Sequence, residues 1–179
     1  MNDISLHIMD IVQNSISAGA TYISISVEKN GDLLSVTIAD NGKGMTAAQV
    51  GKLSDPFFTT RTTRKVGMGI PLLKMSAEQS GGTLHIESEP GTGTIVRADF
   101  GYSHIDRPPL GDIANAFMLI ASSNPRLHLA LSVSSDGEEY GFDTDDAREI
   151  LGENCLTDFS IVREIENMIR ENVKSLGIY

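Results

Sequence analysis

Asp40-Asn41-Gly42-Lys43-Gly44-Met45 sets an acidic side chain just ahead of two glycines spaced by one residue. The run Leu33 to Ala39 leading into it alternates as a strand, with Leu34, Val36 and Ile38 on the same face as Asp40. A carboxylate on a core-facing side is costly to bury without a partner. Gly42 and Gly44 remove Cβ atoms where a flat ligand or a tight backbone needs the room. A fixed acceptor beside bare backbone suits a heterocycle with an exocyclic amine, such as adenine, and repels the carbonyl of guanine. The same residues also fit a strand-end turn with Asp40 as its local cap, so the stretch alone leaves both readings open.

Two further groups of residues could work with it. Ile4, Ile8, Ile11, Val12 and Ile16 recur at helical spacing, and His7, Asp10, Asn14 and Ser17 form a second, polar stripe on that helix. Asp10 and Asn14 are one turn apart. A carboxylate and an amide oxygen converging there are hard ligands suited to Mg²⁺, although a solvated helix face has the same pattern. Gly67-Met68-Gly69-Ile70-Pro71 opens a helix carrying Leu72, Leu73, Met75 and Ala77 that stops at Gly81-Gly82. Glycines before a helix leave free amides aimed at an anion. The Thr-rich stretch from Asp55 to Lys65 has no sustained period, holds Arg61, Arg64 and Lys65, and has the length of a lid or binding loop. Thr94 shares a face with Val96, Ala98 and Phe100, which turns its hydroxyl to the same side as Asp40.

The whole chain limits the options. Its 179 residues suit one domain, or one domain with a small extension. A net charge of −10 argues against a general nucleic-acid binder. Cys155 is the single cysteine, which rules out an internal disulfide and fits a reducing compartment. The first residues lack a signal-peptide pattern, and no apolar run approaches spanning length, so a cytoplasmic protein without membrane contact is expected.

The elements that must position these residues follow from periodicity and turn chemistry. Ala18-Gly19-Ala20 ends the first helix, Tyr22 to Glu28 alternates as a strand, and Asn30-Gly31-Asp32 supplies a hairpin turn. Thr46 to Val50 is a short helix. Thr83 to Glu89 and the run from Thr94 to Phe100 are strands joined by Pro90-Gly91-Thr92-Gly93. After Arg107-Pro108-Pro109 come a helix near Leu110 to Ala121, a strand from Leu127 to Val133, an Asp136-Gly137 turn and a return strand. Asp143 or Thr144 caps a short helix, and Asp158 caps a longer one through Leu176. The apolar stripe of that last helix packs internally or on a second subunit of a homodimer.

In order, these segments resemble the Bergerat-fold (GHKL) ATPases. Asp10 to Ser15 with Ala18-Gly19-Ala20 looks like the N box, and Asp40 to Met45 like the G1 box. Asp55-Pro56-Phe57-Phe58-Thr59-Thr60-Arg61 is similar to the F box of histidine kinases, Gly67 to Ile70 to the G2 box, and Gly91 to Thr94 to the last glycine box. The resemblance implies an α+β fold: a two-layer α/β sandwich with a mixed sheet and helices on one face. This would occupy residues 1–103, with 104–179 a small α/β extension. It implies ATP and Mg²⁺ as cofactors. Asn14 would hold the metal and Asp10 would act as general base. Asp40, Gly42, Gly44, Met45, Phe58, Thr60, Arg61, Lys65, Gly67, Met68, Gly69, Ile70, Leu72 and Thr94 would bind the nucleotide.

The expected function is an ATP-dependent, histidine-kinase-like module acting on a separate protein partner. The alternative is a nucleotide-gated binding module with slow or no hydrolysis, because Asp10 is shorter than the Glu of the hydrolytic branches. The chain opens at the N box, so an isolated ATP-binding domain is expected. His104-Ile105-Asp106-Arg107-Pro108-Pro109-Leu110 is similar to a histidine-kinase phosphoacceptor motif, with Ile105 at its acidic position.

Overall fold

A computed structural model describes residues 3–53 and 69–178. The first helix, α1 (Ile4–Ser17), starts where Asp3 accepts the amide of Leu6, and it buries Ile4, Ile8, Ile11 and Val12. A hairpin comes next, β1 (Tyr22–Asn30) and β2 (Leu33–Asp40), and then the short α2 (Ala47–Gly51), closed by a Thr46/Gln49 capping box. Helix α3 (Gly69–Gln79) precedes a second hairpin, β3 (Thr83–Glu89) and β4 (Gly93–Gly101). The last elements are α4 (Ile113–Ser123), β5 (His128–Ser135), β6 (Glu138–Asp143), α5 (Thr144–Leu151) and α6 (Phe159–Ser175).

The strands form one mixed sheet in the order β3-β4-β2-β1-β5-β6. Among the described residues only the β1–β5 pair is parallel, with Ile25 opposite Leu131 and Val27 opposite Val133. Ile23, Ile25, Val27, Leu34, Val36, Ile38, Val96, Phe100, Leu129 and Leu131 turn to one face and are buried. Ser24, Ser26, Thr37, Arg97 and Ser132 alternate to the other face, where they are half-buried or exposed. The helices cover the apolar face in a single layer: α3 packs on α1, α1 on α4, and α4 on α6. This is the expected two-layer α+β sandwich with a mixed sheet and helices on one face.

The C-terminal segment enters the same sheet and the same core. β5 and β6 continue the sheet beyond β1, and the rings of Phe117 and Phe142 meet edge to face at 5.7 Å. α6 buries Ile165, Ile169 and Val173 against α4 and β6, so its apolar stripe is used within the chain. The link from β4 to α4 returns to the start of α1, where the carbonyls of Pro109 and Leu110 accept the amides of Ile4 and Ser5, each at 2.9 Å. These amides belong to the first turn of a helix and have no partner inside it.

Leu129 is fully buried between the two parts of the chain. Leu129→Ala should lower stability by about 2–5 kcal/mol in denaturant titration, the range for removing a packed leucine from a core. A loss below about 1 kcal/mol would mean that β5 contributes little to the common core.

Candidate functional site

The site begins where β2 runs out beneath α1. Asp40 faces the helices, as its alternation with Ile38 and Val36 requires, and both of its oxygens find donors. The Gly42 amide donates to Oδ1 at 2.8 Å, and the Ser15 hydroxyl of α1 donates to Oδ2 at 2.5 Å. Asp40 is half-buried, so its carboxylate is held in one orientation with acceptor capacity left over. Gly42 leaves the approach clear: a Cβ there would lie 3.0 Å from Asp40 Oδ1 and 3.1 Å from the Ala18 carbonyl. Asn41 points away and ties β2 to the start of β1. Its Oδ1 accepts the amides of Thr21 and Tyr22, and its Nδ2 donates to Thr21 Oγ1, each at 2.9 Å.

The second glycine solves a packing problem. Gly44 has φ of 64°, and a Cβ on it would land 1.9 Å from the Glu89 carbonyl oxygen. Only glycine lets this backbone lie against the β3–β4 turn, where the Gly91 amide donates to the Lys43 carbonyl at 2.8 Å. Thr94 pairs with Asp40 across β2 and β4, as its face predicts. Its hydroxyl lies 2.8 Å from Ser88 Oγ, and Ser88 Oγ accepts the Met45 amide at 2.8 Å. Asp40, Gly42, Gly44, Met45 and Thr94 are thus gathered at one corner of the sheet.

Farther back along α1, Asp10 reaches the start of α3. A Cβ on Gly69 would lie 1.7 Å from Asp10 Oδ2, so the carboxylate is in contact with the glycine backbone. Asp10 and Ser15 are five positions apart on the helix, about 7.5 Å along the axis. α1 therefore carries one carboxylate contact at each end of a short path between Asp40 and the α3 N-terminus. Asn14 is half-buried on α1, one turn after Asp10. Its amide oxygen and the Asp10 carboxylate are a donor set that fits Mg²⁺. Ile70 and Leu72 are half-buried in the first turns of α3, with Ile70 packed on the core. Phe58, Thr60, Arg61, Arg64, Lys65, Gly67 and Met68 lie outside the described residues.

The polar stripe of α1 does not act as one face. His7 is buried, 2% exposed, with Nε2 3.3 Å from Ser76 Oγ of α3 and Nδ1 without a partner among the described residues. Burial pushes its pKa below the usual 6.5, against the pull of Asp10 and Asp3. Ser17 is exposed and donates to its own helix at Gln13. Ser15, by contrast, holds Asp40 from within the apolar stripe, one turn beyond Ile11 and buried to 4% exposure. A hydroxyl at a core-facing helical position was its sequence signal. His104 sits at the far end of the fold, beside Gly81 and Gly101 at the ends of α3 and β4. About 23 Å of strand separates it from Thr94, so the pocket does not reach it within one chain. Its segment is a turn followed by an irregular link.

The family model described as "Histidine kinase-, DNA gyrase B-, and HSP90-like ATPase" matches residues 2–103. The chain therefore belongs to that family and carries a histidine-kinase-like ATP-binding domain. It is 39% identical over 74 residues to sensor histidine kinase ZraS of Klebsiella oxytoca, covering 41% of this chain and 16% of that protein. It is 30% identical over 99 residues to a probable C4-dicarboxylate sensor kinase of Bacillus subtilis, covering 52% of this chain and 18% of that one. The chain thus spans under a fifth of either kinase. The crystal structure of the N-terminal domain of a DNA repair protein superposes with a TM-score of 0.56 at 16% identity, over 79% of this chain and 52% of the other, a likeness of fold. No helix among the described residues is long and apolar enough to cross a membrane.

Two stability measurements probe this geometry. Burial holds the His7 pKa below its ordinary 6.5 in the fold, so as pH falls through that value the unfolded chain binds more protons than the native one. Stability should decline from about pH 6.5 downward, and His7→Asn should flatten that slope in denaturant titrations run across pH. Equal slopes would place the titration elsewhere. Gly91 has φ of 79° and open space around it, whereas Gly44 combines its positive φ with the Glu89 contact. Gly91→Ala should cost about 1 kcal/mol and Gly44→Ala distinctly more, measured by thermal unfolding. Equal losses would remove the packing role given to Gly44.

Proposed function

We propose that this chain is the Mg·ATP-binding, catalytic module of a kinase that phosphorylates a separate protein partner. The observation that carries the reading is the Asp40 carboxylate. It is fixed by Ser15 and the Gly42 amide, faces a glycine-lined corner, and lies in a chain of the histidine-kinase-like ATPase family. An acceptor so oriented selects the adenine amine. Thr94 and the Met45 backbone flank the base. The α3 start at Gly69 and Ile70 receives phosphate oxygens with help from the helix dipole. Gly67, Met68, Phe58 and Thr60 would complete the enclosure, and Arg61 and Lys65 would supply positive charge. Asn14 would hold Mg²⁺ against the phosphates, and the metal would neutralise charge on the transferring group.

In the reaction, the acceptor side chain of the partner, His or Ser, forms a bond to the γ-phosphorus. The bond from that phosphorus to the β–γ bridging oxygen breaks, and ADP leaves. Asp10 takes the proton released by the acceptor. Positioning and electrostatics supply most of the rate in such transfers.

A second reading, nucleotide-gated binding with little turnover, is favoured by one observation. The Asp10 side chain is one methylene shorter than Glu, and its carboxylate already lies against the Gly69 backbone. Both readings share the pocket and differ in the fate of the bound nucleotide.

Calorimetric titration with Mg·ATP tests the pocket. Asp40→Asn should weaken binding by at least about tenfold, the loss of a hydrogen bond to a charged group. Unchanged affinity would refute the site. Transfer of γ-labelled phosphate to co-purified protein then separates the two readings, since a gated binder leaves the partner unlabelled.

A further inference from the structure

The charge of the chain is concentrated in one place. Between Asp136 and Asp158 there are nine carboxylates and a single cation, Arg148, so this stretch carries −8 of the net −10. It forms β6, the outermost strand, then α5 and the turn into α6. Some of the charge is answered locally. His128 Nε2 lies 2.8 Å from Asp143 Oδ2, and Arg148 pairs with Asp145. Asp146, Glu149 and Glu153 have no ion-pair partner among the described residues.

The same stretch holds apolar side chains that the fold leaves uncovered. α5 is fastened by its other side: Thr144 Oγ1 accepts the Leu129 amide at 2.8 Å, Ala147 is buried, and Arg148 donates to the Pro125 carbonyl at 2.8 Å. Ile150 and Leu151 therefore end the helix 79% and 50% exposed. The chain turns at Gly152, anchors Cys155 and Leu156 in the core, and presents Phe159 at the start of α6, 75% exposed. Exposed apolar side chains in a stretch whose carboxylates lack ion-pair partners among the described residues have the composition of an interface with its partner removed.

We infer that the α5–α6 corner, centred on Ile150, Leu151 and Phe159 and rimmed by Asp146, Glu149 and Glu153, docks a basic protein segment that carries apolar side chains of its own. The sign of the charge chooses the occupant. A second copy would bring a like-charged surface, and nucleic acid would be repelled. A cationic segment is attracted over roughly a Debye length and then held by apolar contact. The corner is built from residues beyond the family match, so it does not depend on the nucleotide pocket and serves either reading of the chemistry.

The test uses the full chain without nucleotide and three labelled synthetic peptides in fluorescence anisotropy. One alternates Lys and Leu at helical spacing, one keeps the lysines with serine in place of leucine, and one keeps the leucines with glutamate in place of lysine. The Lys/Leu peptide should bind, weaken as salt is raised, and exceed the other two by roughly tenfold or more. The double variant Ile150→Ser/Phe159→Ser and the triple variant Asp146→Asn/Glu149→Gln/Glu153→Gln should each reduce its binding by about tenfold. All five positions are at the surface, and unchanged thermal unfolding would show each variant folded. Failure of the Lys/Leu peptide to bind overturns the inference, as does equal binding of the Lys/Ser peptide or full affinity in either variant. A wild-type dimer that becomes monomeric in Ile150→Ser/Phe159→Ser would overturn it in favour of self-association. Unchanged ATP affinity in Asp40→Asn with peptide binding intact would count against the pocket alone.

Discussion

The contact on which the site depends is the hydrogen bond from Ser15 to Asp40. It joins the helix layer to the end of β2 at the point where a half-buried carboxylate has to be satisfied. Without that donor, and the Gly42 amide on the other oxygen, Asp40 would have to turn outward or recruit water. With them it is held facing the helices, and the backbone beyond is stripped of side chains at Gly42 and Gly44. One helix then sets two boundaries. Ser15 holds the end of β2, and Asp10 meets the start of α3 through Gly69. The distance between them is set by the rise of α1 and does not depend on any loop.

The sheet fixes that arrangement from beneath. β2 lies between β4 and β1, so Asp40 has Thr94 on one side and Ile23 on the other. The parallel pairing of β1 with β5 brings the C-terminal strands into the same hydrogen-bonded layer, and α4 and α6 extend the helix layer to match. Residues beyond the family match therefore buttress the side of the sheet away from β3. They also add the acidic α5–α6 corner, which the ATP-binding part lacks. Pocket and corner are separate in chemistry: one presents a single oriented acceptor among glycines, the other a net negative, partly apolar surface.

Much of this was legible in the residue order. The 3.6-residue period of Ile4, Ile8 and Ile11 marks α1, and strict alternation from Leu34 to Ile38 puts Asp40 on the core face. Asn30-Gly31-Asp32 and Asp136-Gly137 mark the hairpins, and Asp143 and Asp158 mark helix starts. The short-range signals succeed because turn and cap chemistry is local. The misses are contacts between distant parts. Nothing local says that His7 will be buried against Ser76, because that depends on where α3 lies. The link of Met45 through Ser88 to Thr94 needs two hairpins docked together. The pairing of β1 with β5 joins strands about a hundred residues apart, beyond any periodic signal. Ser15 was readable in principle, since a hydroxyl in an apolar stripe demands a buried acceptor and Asp40 was already short of a donor.

On the proposed function, the Asp40 carboxylate reads the exocyclic amine of adenine. Inosine triphosphate replaces the donor amine by a carbonyl and puts a proton on the neighbouring ring nitrogen N1, while leaving sugar, phosphates and metal as they are. The direct measurement is the ratio of Mg·ATP to Mg·ITP affinity for the wild-type chain, by calorimetry. ATP should bind at least about tenfold tighter, because in ITP a carbonyl takes the place of the amine that donates to the fixed carboxylate. Equal affinities would contradict the account and take Asp40 out of base recognition.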